Sequence, residues 1–209
     1  MKIEGNNIWI TSDTHYMHSG ICRGTTHWRV EDGEGNKVVP LDAVRDFETV
    51  EEMNDLMLEN INEHVGEDDT LFHLGDWSFG GFGNIEELRY RINCKNIHLI
   101  LGNHDHHIEK NKGDIRKLFS SVHHYLEVSV GPSRLILCHY PILSWNNMRR
   151  GTMMLHGHQH LKGDSRFGNG KRMDVGMCGN PDFRPYHIDE IREILKDREN
   201  IEPVPGFNQ

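Results

Sequence analysis

Four times along this 209-residue chain a short apolar run stops at a cluster of Asp, His or Asn: "NNIWITSDTH", "DDTLFHLGDW", "KNIHLILGNHDHH" and "SRLILCHYP". Apolar runs of this length with polar ends read as β-strands. In α/β and layered sheet proteins, ligand sites collect beyond the carboxyl ends of strands. Four endings of one kind, far apart in sequence, can therefore meet in a single cleft.

Helical patterns lie between and after these runs. In "FETVEEMNDLMLENINEHV" the residues Phe47, Val50, Met53, Met57, Ile61 and Val65 recur at spacings of three or four, the stripe of an amphipathic helix whose methionines face a core. "NIEELRYRI", with Asn84 as N-cap ahead of an acidic first turn, and "HIDEIREILKDRE", with Ile188, Ile191, Ile194 and Leu195 on one stripe, follow the same period. "HHYLEVSVGPSRLILCHY" instead reads as a hairpin turning at Gly131 and Pro132, so mixed sheets are expected. The elements together predict a layered α/β fold, and one domain over residues 1–209 is the default at this length. The polar, glycine-rich segment from Gly20 to Pro40 is long for a simple connection and leaves from the first strand ending. It is read as a flap or insertion beside the cleft at residues 20–40, with a plain surface excursion as the alternative.

A fifth polar ending carries dense chemistry. In "MMLHGHQH", residues 153–160, His156, His158 and His160 stand on alternate positions. Extended backbone sends residues i and i+2 to the same side, so these rings can converge, and converging neutral imidazoles hold transition metals. With 16 histidines in the chain some clustering is expected by chance, but these are internal and follow an apolar run, unlike a consecutive terminal tag.

Charge and composition narrow the partners. A formal net charge of -9 opposes non-specific attraction to nucleic acid, although carboxylates sitting on cations would count for less than the sum implies. No apolar run approaches a membrane span, and "MKIEGNNIWITSD" lacks the long apolar segment of a secretory signal. Cys22, Cys94, Cys138 and Cys178 are widely spaced, which suits reduced thiols. A cytoplasmic protein with no membrane partner is the expectation.

Taken in order, "SDTHYMH", "HLGDW", "LGNHDHH", "LCHYP" and "HGHQH" give the series DxH, GD, GNHD, H and GHxH, each after an apolar strand. Any one of these is a weak signal; the ordered set is specific. Over roughly residues 7 to 180 the chain resembles the calcineurin-like metallophosphoesterase superfamily. Within it the chain is similar to a branch of small, single-domain bacterial and phage-borne predicted phosphoesterases that read DTHxxH, HLGDxxFG, GNHD, CHYP and LHGHxH. The resemblance implies an α/β/β/α sandwich of two mixed sheets flanked by helices. It also implies two divalent metal ions, manganese first and iron, zinc or nickel as alternatives, all suited to mixed oxygen and imidazole donors. Asp13, His15 and His160 would hold one ion and Asn103, His139 and His158 the other. Asp76 would bridge them at a separation of about 3.5–4 Å. His156 falls outside the matched motif and is expected to be structural.

The same resemblance implies the chemistry: attack on phosphorus by a hydroxide bridging the two ions, with Asp76 holding them together and His104 giving a proton to the leaving alkoxide. Many members carry a second carboxylate three residues after the bridging Asp, where it orients that histidine. This chain has Phe79 there, and Asp105 is the nearest substitute in sequence. His18, Arg23, Arg149 and Arg150 lie near ligand-bearing endings and are candidates for contacts to substrate phosphate. Gly75, Gly102 and Gly157 each precede a ligand and are read as permitting bends that aim side chains inward. The expected activity is a phosphodiesterase on a small nucleotide or organic phosphate rather than a protein phosphatase, though these residues do not separate monoester from diester cleavage. Two alternatives stand beside it. One is a nuclease on short single-stranded nucleic acid, which "WNNMRRG" could serve; the other is a non-catalytic, metal-stabilised binding scaffold. Extended nucleic-acid binding is not expected, and the presence of His104 with all seven expected ligands argues against the scaffold.

Overall fold

Each of the apolar runs forms the strand expected of it. In a computed structural model the residues described are 1–3, 7–22, 30–31, 33–35, 37–38, 45–110, 113 and 115–201. Their elements in chain order are β1 (Lys2–Ile3), β2 (Ile8–Thr11), α1 (Ser19–Cys22), β3 (Val30–Glu31), β4 (Lys37–Val38), α2 (Val50–His64), β5 (Thr70–His73), α3 (Phe82–Tyr90) and β6 (Asn96–Ile100). There follow α4 (His106–Lys110), β7 (Ser121–His123), β8 (Tyr125–Val130), β9 (Ser133–Cys138), β10 (Met153–His156), β11 (Arg172–Asp174), β12 (Tyr186–His187) and α5 (Ile188–Leu195).

Two five-stranded sheets result, in the orders β1-β8-β9-β10-β11 and β12-β2-β5-β6-β7, with β3 and β4 as a separate antiparallel pair. In the second sheet β2, β5, β6 and β7 run parallel, and β12 pairs antiparallel with β2. In the first, β9, β10 and β11 run parallel, β8 is antiparallel to β9, and β1 is parallel to β8. Side-chain alternation then decides what each face covers. Leu135 and Leu137 of β9 join Ile8, Ile10, Phe72 and Ile100 of the other sheet in one buried cluster, which also takes in Ile188, Ile191 and Leu195 of α5. The intervening Ile136 and Cys138 face the opposite side with Trp145, Met148 and Met154. On the far face of the parallel sheet Leu71, Ile97 and Leu99 pack with Met53, Met57 and Ile61 of α2 and with Ile85 and Leu88 of α3. The expected architecture is what forms: two mixed sheets packed face to face and flanked by helices.

Local signals mostly act where the sequence puts them. Thr49 caps α2 by accepting from the Glu52 N–H at 3.1 Å, with Glu51 and Glu52 in the first turn. A capping box of His187 and Glu190 starts α5. The hairpin turns at Gly131 and Pro132, with Val130 opposite Ser133. Helix α3 corrects its expectation: it begins at Phe82 behind Gly81, with no side-chain cap and no acidic residue in its first turn. Asn84 lies inside the helix and its Nδ2 donates to the Phe79 carbonyl at 3.1 Å. Gly80, at φ 91°, lets the chain turn into the helix before Asn84 is reached. Of the segment expected as a flap, the described part holds the end of α1 and most of the β3–β4 pair's turn, and the rest lies outside the described residues. Among the described residues no helix is long and apolar enough to cross a membrane.

β5 ends on His73, which is fully buried. Its Nδ1 accepts from the Gly75 N–H at 3.3 Å, and its Nε2 faces Thr14 Oγ1 at 3.0 Å while the Thr14 hydroxyl donates to the Trp77 carbonyl. That pattern fits the neutral ring with its proton on Nε2. Burial pushes the pKa down from 6.5 to about 3, with Asp13 opposing and His139 adding to the fall. A folded value below the unfolded one means the unfolded chain takes up the extra proton. This contribution to stability is therefore intact above pH 6.5 and is lost as pH falls towards 3. His73→Gln is expected to flatten the acid limb of the stability curve by about one proton, roughly 1.4 kcal/mol per pH unit, in urea unfolding between about pH 4 and pH 6.

Candidate metal centre

The five polar endings arrive at one place because β2, β5 and β6 share a direction in one sheet and β9 and β10 share one in the other. Backbone bonds tie the loops beyond them. The Asp13 N–H donates to the Gly75 carbonyl at 2.9 Å, His15 to Asp76 at 3.0 Å, Gly157 to His139 at 3.0 Å and Met177 to Ser12 at 2.9 Å. Asp13, His15, Asp76, His158 and His160 all adopt positive φ, between 47° and 73°. That region costs a non-glycine residue on the order of 1–3 kcal/mol, so the loops hold convergent side chains at the expense of local comfort.

Gly75 is conformationally required, at φ 102°, and a Cβ there would lie 2.6 Å from Gly102 N and 2.7 Å from His139 Nδ1. Gly102 and Gly157 do not adopt positive φ, and the expectation that they serve backbone bends is corrected: they make room. A Cβ on Gly102 would stand 2.2 Å from Asp76 Oδ1, and one on Gly157 would stand 2.0 Å from Ser12 Oγ and 2.1 Å from Asp13 Oδ2.

The side chains of all seven expected ligands converge. Asp76 Oδ2 lies 3.4 Å from His15 Nε2 and 3.5 Å from His139 Nε2. Asp13 Oδ1 is 3.7 Å from the Nε2 atoms of both His15 and His160, which are 3.1 Å from each other. On the other side Asn103 Oδ1 stands 3.0 Å from His139 Nε2 and 2.9 Å from His158 Nδ1. Among the described residues three sets have donor atoms within 4.8 Å of one another: Asp13, His15 and His160; Asp76, His139 and His158; and His15, Asp76 and His104. Bonds of about 2.0–2.2 Å to a common ion would space their ligand atoms by amounts of this order. The Asp13 and His15 side is buried, whereas Asn103 and His158 open to solvent.

Proton placement shows that the set fits metal ions. His139 Nδ1 is 2.8 Å from the Leu74 carbonyl, which can only accept, so it carries the proton and turns the Nε2 lone pair onto Asn103 Oδ1 and Asp76 Oδ2. His160 Nδ1 faces Cys178 Sγ at 3.4 Å, which leaves its Nε2 towards His15 and Asp13. Around His139 acceptors face acceptors, an arrangement that suits a cation among them, whereas at His160 burial is outweighed by the Cys178 hydrogen bond and the Asp13 charge, which raise its pKa to about 9. Burial drives the His15 pKa down to about 3 against the pull of Asp13, so its imidazole is neutral and able to ligate. Burial also raises Asp76, with His139 opposing, and a bound cation is what holds a carboxylate in such a place ionised. For Asp13 burial acts in the same direction, but the His15 hydrogen bond and the charge of His160 bring it well below the usual carboxylate range.

Backbone amides aim the carboxylates. The His104 N–H donates to Asp76 Oδ1 at 2.9 Å and leaves Oδ2 to the cluster, while the His158 N–H donates to both oxygens of Asp13 at 3.1 and 3.0 Å. Asp105, the expected substitute for an orienting carboxylate, does something else. Its Oδ2 accepts from the Asp76 and Gly102 N–H groups at 2.8 and 2.7 Å and its Oδ1 from Trp77 at 2.9 Å, so it staples two ligand loops and has no reach to the His104 ring. Asp174 performs a similar task for the last loop, accepting from Gly176 at 2.8 Å and Leu161 at 3.3 Å. Neither role is visible in spacing, although a buried Asp directly after "GNH" is a signal of a kind.

His104 is part-exposed, with Nε2 4.0 Å from Asp76 Oδ2. Its ring packs on Phe79 at 4.7 Å between centroids, so an aromatic ring stands at the position where the resemblance leads one to expect a carboxylate. His18 reaches the same rim, 3.8 Å from the Phe79 ring and 6.5 Å from His104, with Nδ1 accepting from the Ile21 N–H. Arg149 and Arg150 do not reach it. They lie on a short 3-10 helix just before β10, and Arg150 lines a surface hollow with Pro132, Ser133 and Arg134 at the start of β9, the opposite end of that strand from His139. The connection after His139 travels back along the sheet before β10 begins, which carries both arginines away. Arg23 lies outside the described residues. His156 is buried, with Nδ1 2.9 Å from the Gly157 carbonyl, and joins none of these donor sets. Tyr140, not singled out in the sequence, is 46% exposed with its ring 4.8 Å from that of His158.

A two-sheet sandwich with a histidine and carboxylate cluster at its strand ends defines a metal-binding hydrolase fold. Residues 7–203 match the calcineurin-like phosphoesterase family, and the chain belongs to it, a family of metal-dependent phosphoesterases. It is similar to the Gene 66 protein of Mycobacterium phage D29, 27% identical over 219 residues that cover 93% of this chain and 98% of that one. It is also similar to an uncharacterised protein of Methanocaldococcus jannaschii, 25% identical over 194 residues, 90% of this chain and 91% of the relative. A solved structure from Aquifex aeolicus, of unknown function, shares the fold with a TM-score of 0.60 at 20% identity, covering 90% of this chain and 98% of its own.

Because Gly157 leaves no room beside Asp13, Gly157→Ala should weaken Mn²⁺ binding at least about tenfold in titration calorimetry. Gly83→Ala, where a Cβ meets nothing within 4 Å, should bind as the wild type does.

Proposed function

We propose that the chain is a dimetal phosphoesterase, foremost a phosphodiesterase acting on a small nucleotide or organic phosphate in the cytoplasm. The position of Asp76 carries this reading: one oxygen lies 3.4 Å from His15 Nε2 and 3.5 Å from His139 Nε2, between two groups of donors. Asp13, His15 and His160 would hold one ion, Asn103, His139 and His158 the other, and Asp76 both. When bound, the ions supply Lewis acidity at the phosphate oxygens and a nucleophile at neutral pH, with manganese first and iron, zinc or nickel as alternatives.

The chain's own residues fix geometry and move one proton. His104 donates its backbone N–H to Asp76 at 2.9 Å, so the proton donor and the shared carboxylate are held to each other. Its imidazole, part-exposed at the cleft, would give a proton to the leaving oxygen. Phe79 fixes that ring by packing and brings no negative charge with it. Substrate would enter over the solvent-facing Asn103 and His158 side, past Tyr140. With Arg149 and Arg150 at the far end of β9, the described cleft offers histidines rather than guanidinium groups to phosphate oxygens, which suits the single charge of a diester. The exposed Tyr140 ring favours a second reading, a nuclease on short single strands, because it offers a base a face to stack on.

The Mn²⁺-loaded protein is expected to hydrolyse bis-p-nitrophenyl phosphate faster than p-nitrophenyl phosphate. His104→Ala should lower kcat about 10²–10⁴-fold with two ions retained by elemental analysis. Turnover of a short single-stranded oligonucleotide above that of the model diester would favour the nuclease. If pure, metal-loaded protein cleaves none of the three, a non-catalytic scaffold is the better description.

A further inference from the structure

We infer that Arg45 and Cys178 form a buried clamp that positions His160 and the Asp13 loop for their shared ion. The inference rests on the dimetal reading above. Arg45 is 2% exposed and sits just ahead of α2, and its guanidinium donates to four acceptors, one of them Met53 Sδ on α2 at 3.2 Å from Nη1. Nη1 donates to the Thr14 carbonyl at 2.7 Å, Nη2 donates to the Asp13 carbonyl, and Nε donates to Cys178 Sγ at 3.3 Å. Cys178, 5% exposed, lies in a 3-10 turn, Met177–Gly179, and its sulfur also faces His160 Nδ1 at 3.4 Å.

The clamp meets two needs at once. Asp13 bends through φ 56°, which turns its carbonyl and that of Thr14 away from any strand partner, and a planar guanidinium satisfies both from one side. His160 also stands at positive φ, 52°, on a loop that does not by itself fix the ring. For His160 to ligate through Nε2 its proton must sit on Nδ1, where the Cys178 sulfur can accept it, and Nε2 is the atom that faces Asp13 Oδ1 at 3.7 Å and His15 Nε2 at 3.1 Å. Ligating histidines usually have a carboxylate, carbonyl or water in this role, so a cysteine held by an arginine is a distinct solution. Cys178 is therefore a positioning residue, with its sulfur on the side of the imidazole remote from the ion. Arg45 links it to a ligand loop far away in sequence.

Titration calorimetry with Mn²⁺, elemental analysis and the visible absorption of the Co²⁺-substituted protein test this without reference to turnover. Cys178→Ala should weaken one of two Mn²⁺ sites by about tenfold or more and alter the Co²⁺ bands, leaving the other site within about twofold. Cys178→Ser should restore affinity to within about threefold, since a hydroxyl accepts the same hydrogen bond. Arg45→Lys, confirmed folded by circular dichroism, should weaken the same site because the fork is lost while the charge is kept. Wild-type affinity at both sites in Cys178→Ala overturns the clamp, as does a Cys178→Ser protein no better than Cys178→Ala. A wild type that does not bind two ions brings down the dimetal reading and the clamp together, a failure distinct from the other two.

Discussion

A buried crowding of imidazole nitrogens and carboxylate oxygens is the constraint around which this molecule is arranged. His139 Nε2, Asn103 Oδ1 and Asp76 Oδ2 meet on one side, and His15 Nε2, His160 Nε2 and Asp13 Oδ1 on the other. Cations are suited to such a crowd of ligand atoms, and the rest of the fold must hold it in place. Five of the converging residues accept left-handed backbone to do so. Two well-filled apolar layers anchor the strands from which those loops spring.

What holds the loops is a set of buried polar staples rather than regular structure. Asp105 gathers three backbone amides from two loops, Asp174 gathers one from the loop after β10 and one from the loop after β11, and Arg45 collects two carbonyls and two sulfurs. Each offsets its own burial with several hydrogen bonds, the condition under which a buried ionisable group is tolerable. Asp76 belongs to both systems, with one oxygen on the His104 amide and the other in the cluster.

Phe79 sets the character of the rim around His104. His104 is oriented by the face of an aromatic ring, which His18 contacts as well. Packing fixes direction without pulling on a proton, whereas a carboxylate does both. The rim of the cleft is thus imidazole and aromatic in character, with Tyr140 on its open side.

The sequence by itself determined the elements that depend on neighbours in the chain. A short apolar run with a polar ending specified β9, the three-to-four spacing specified α2 and α5, and Gly131 with Pro132 specified the hairpin. The ordered strand endings named all seven residues that come together, because position at the end of a strand is a local property. Only the tertiary structure decided the start of α3, the placement of Arg149 and Arg150 at the wrong end of β9 for the cleft, and the turning of Asp105 onto amides instead of His104. The same is true of Arg45 reaching Cys178 across 133 residues. Hydrogen bonds and close approach act through space, so which partner a polar side chain finds depends on how the sheets bring distant loops together, and no spacing along the chain encodes that.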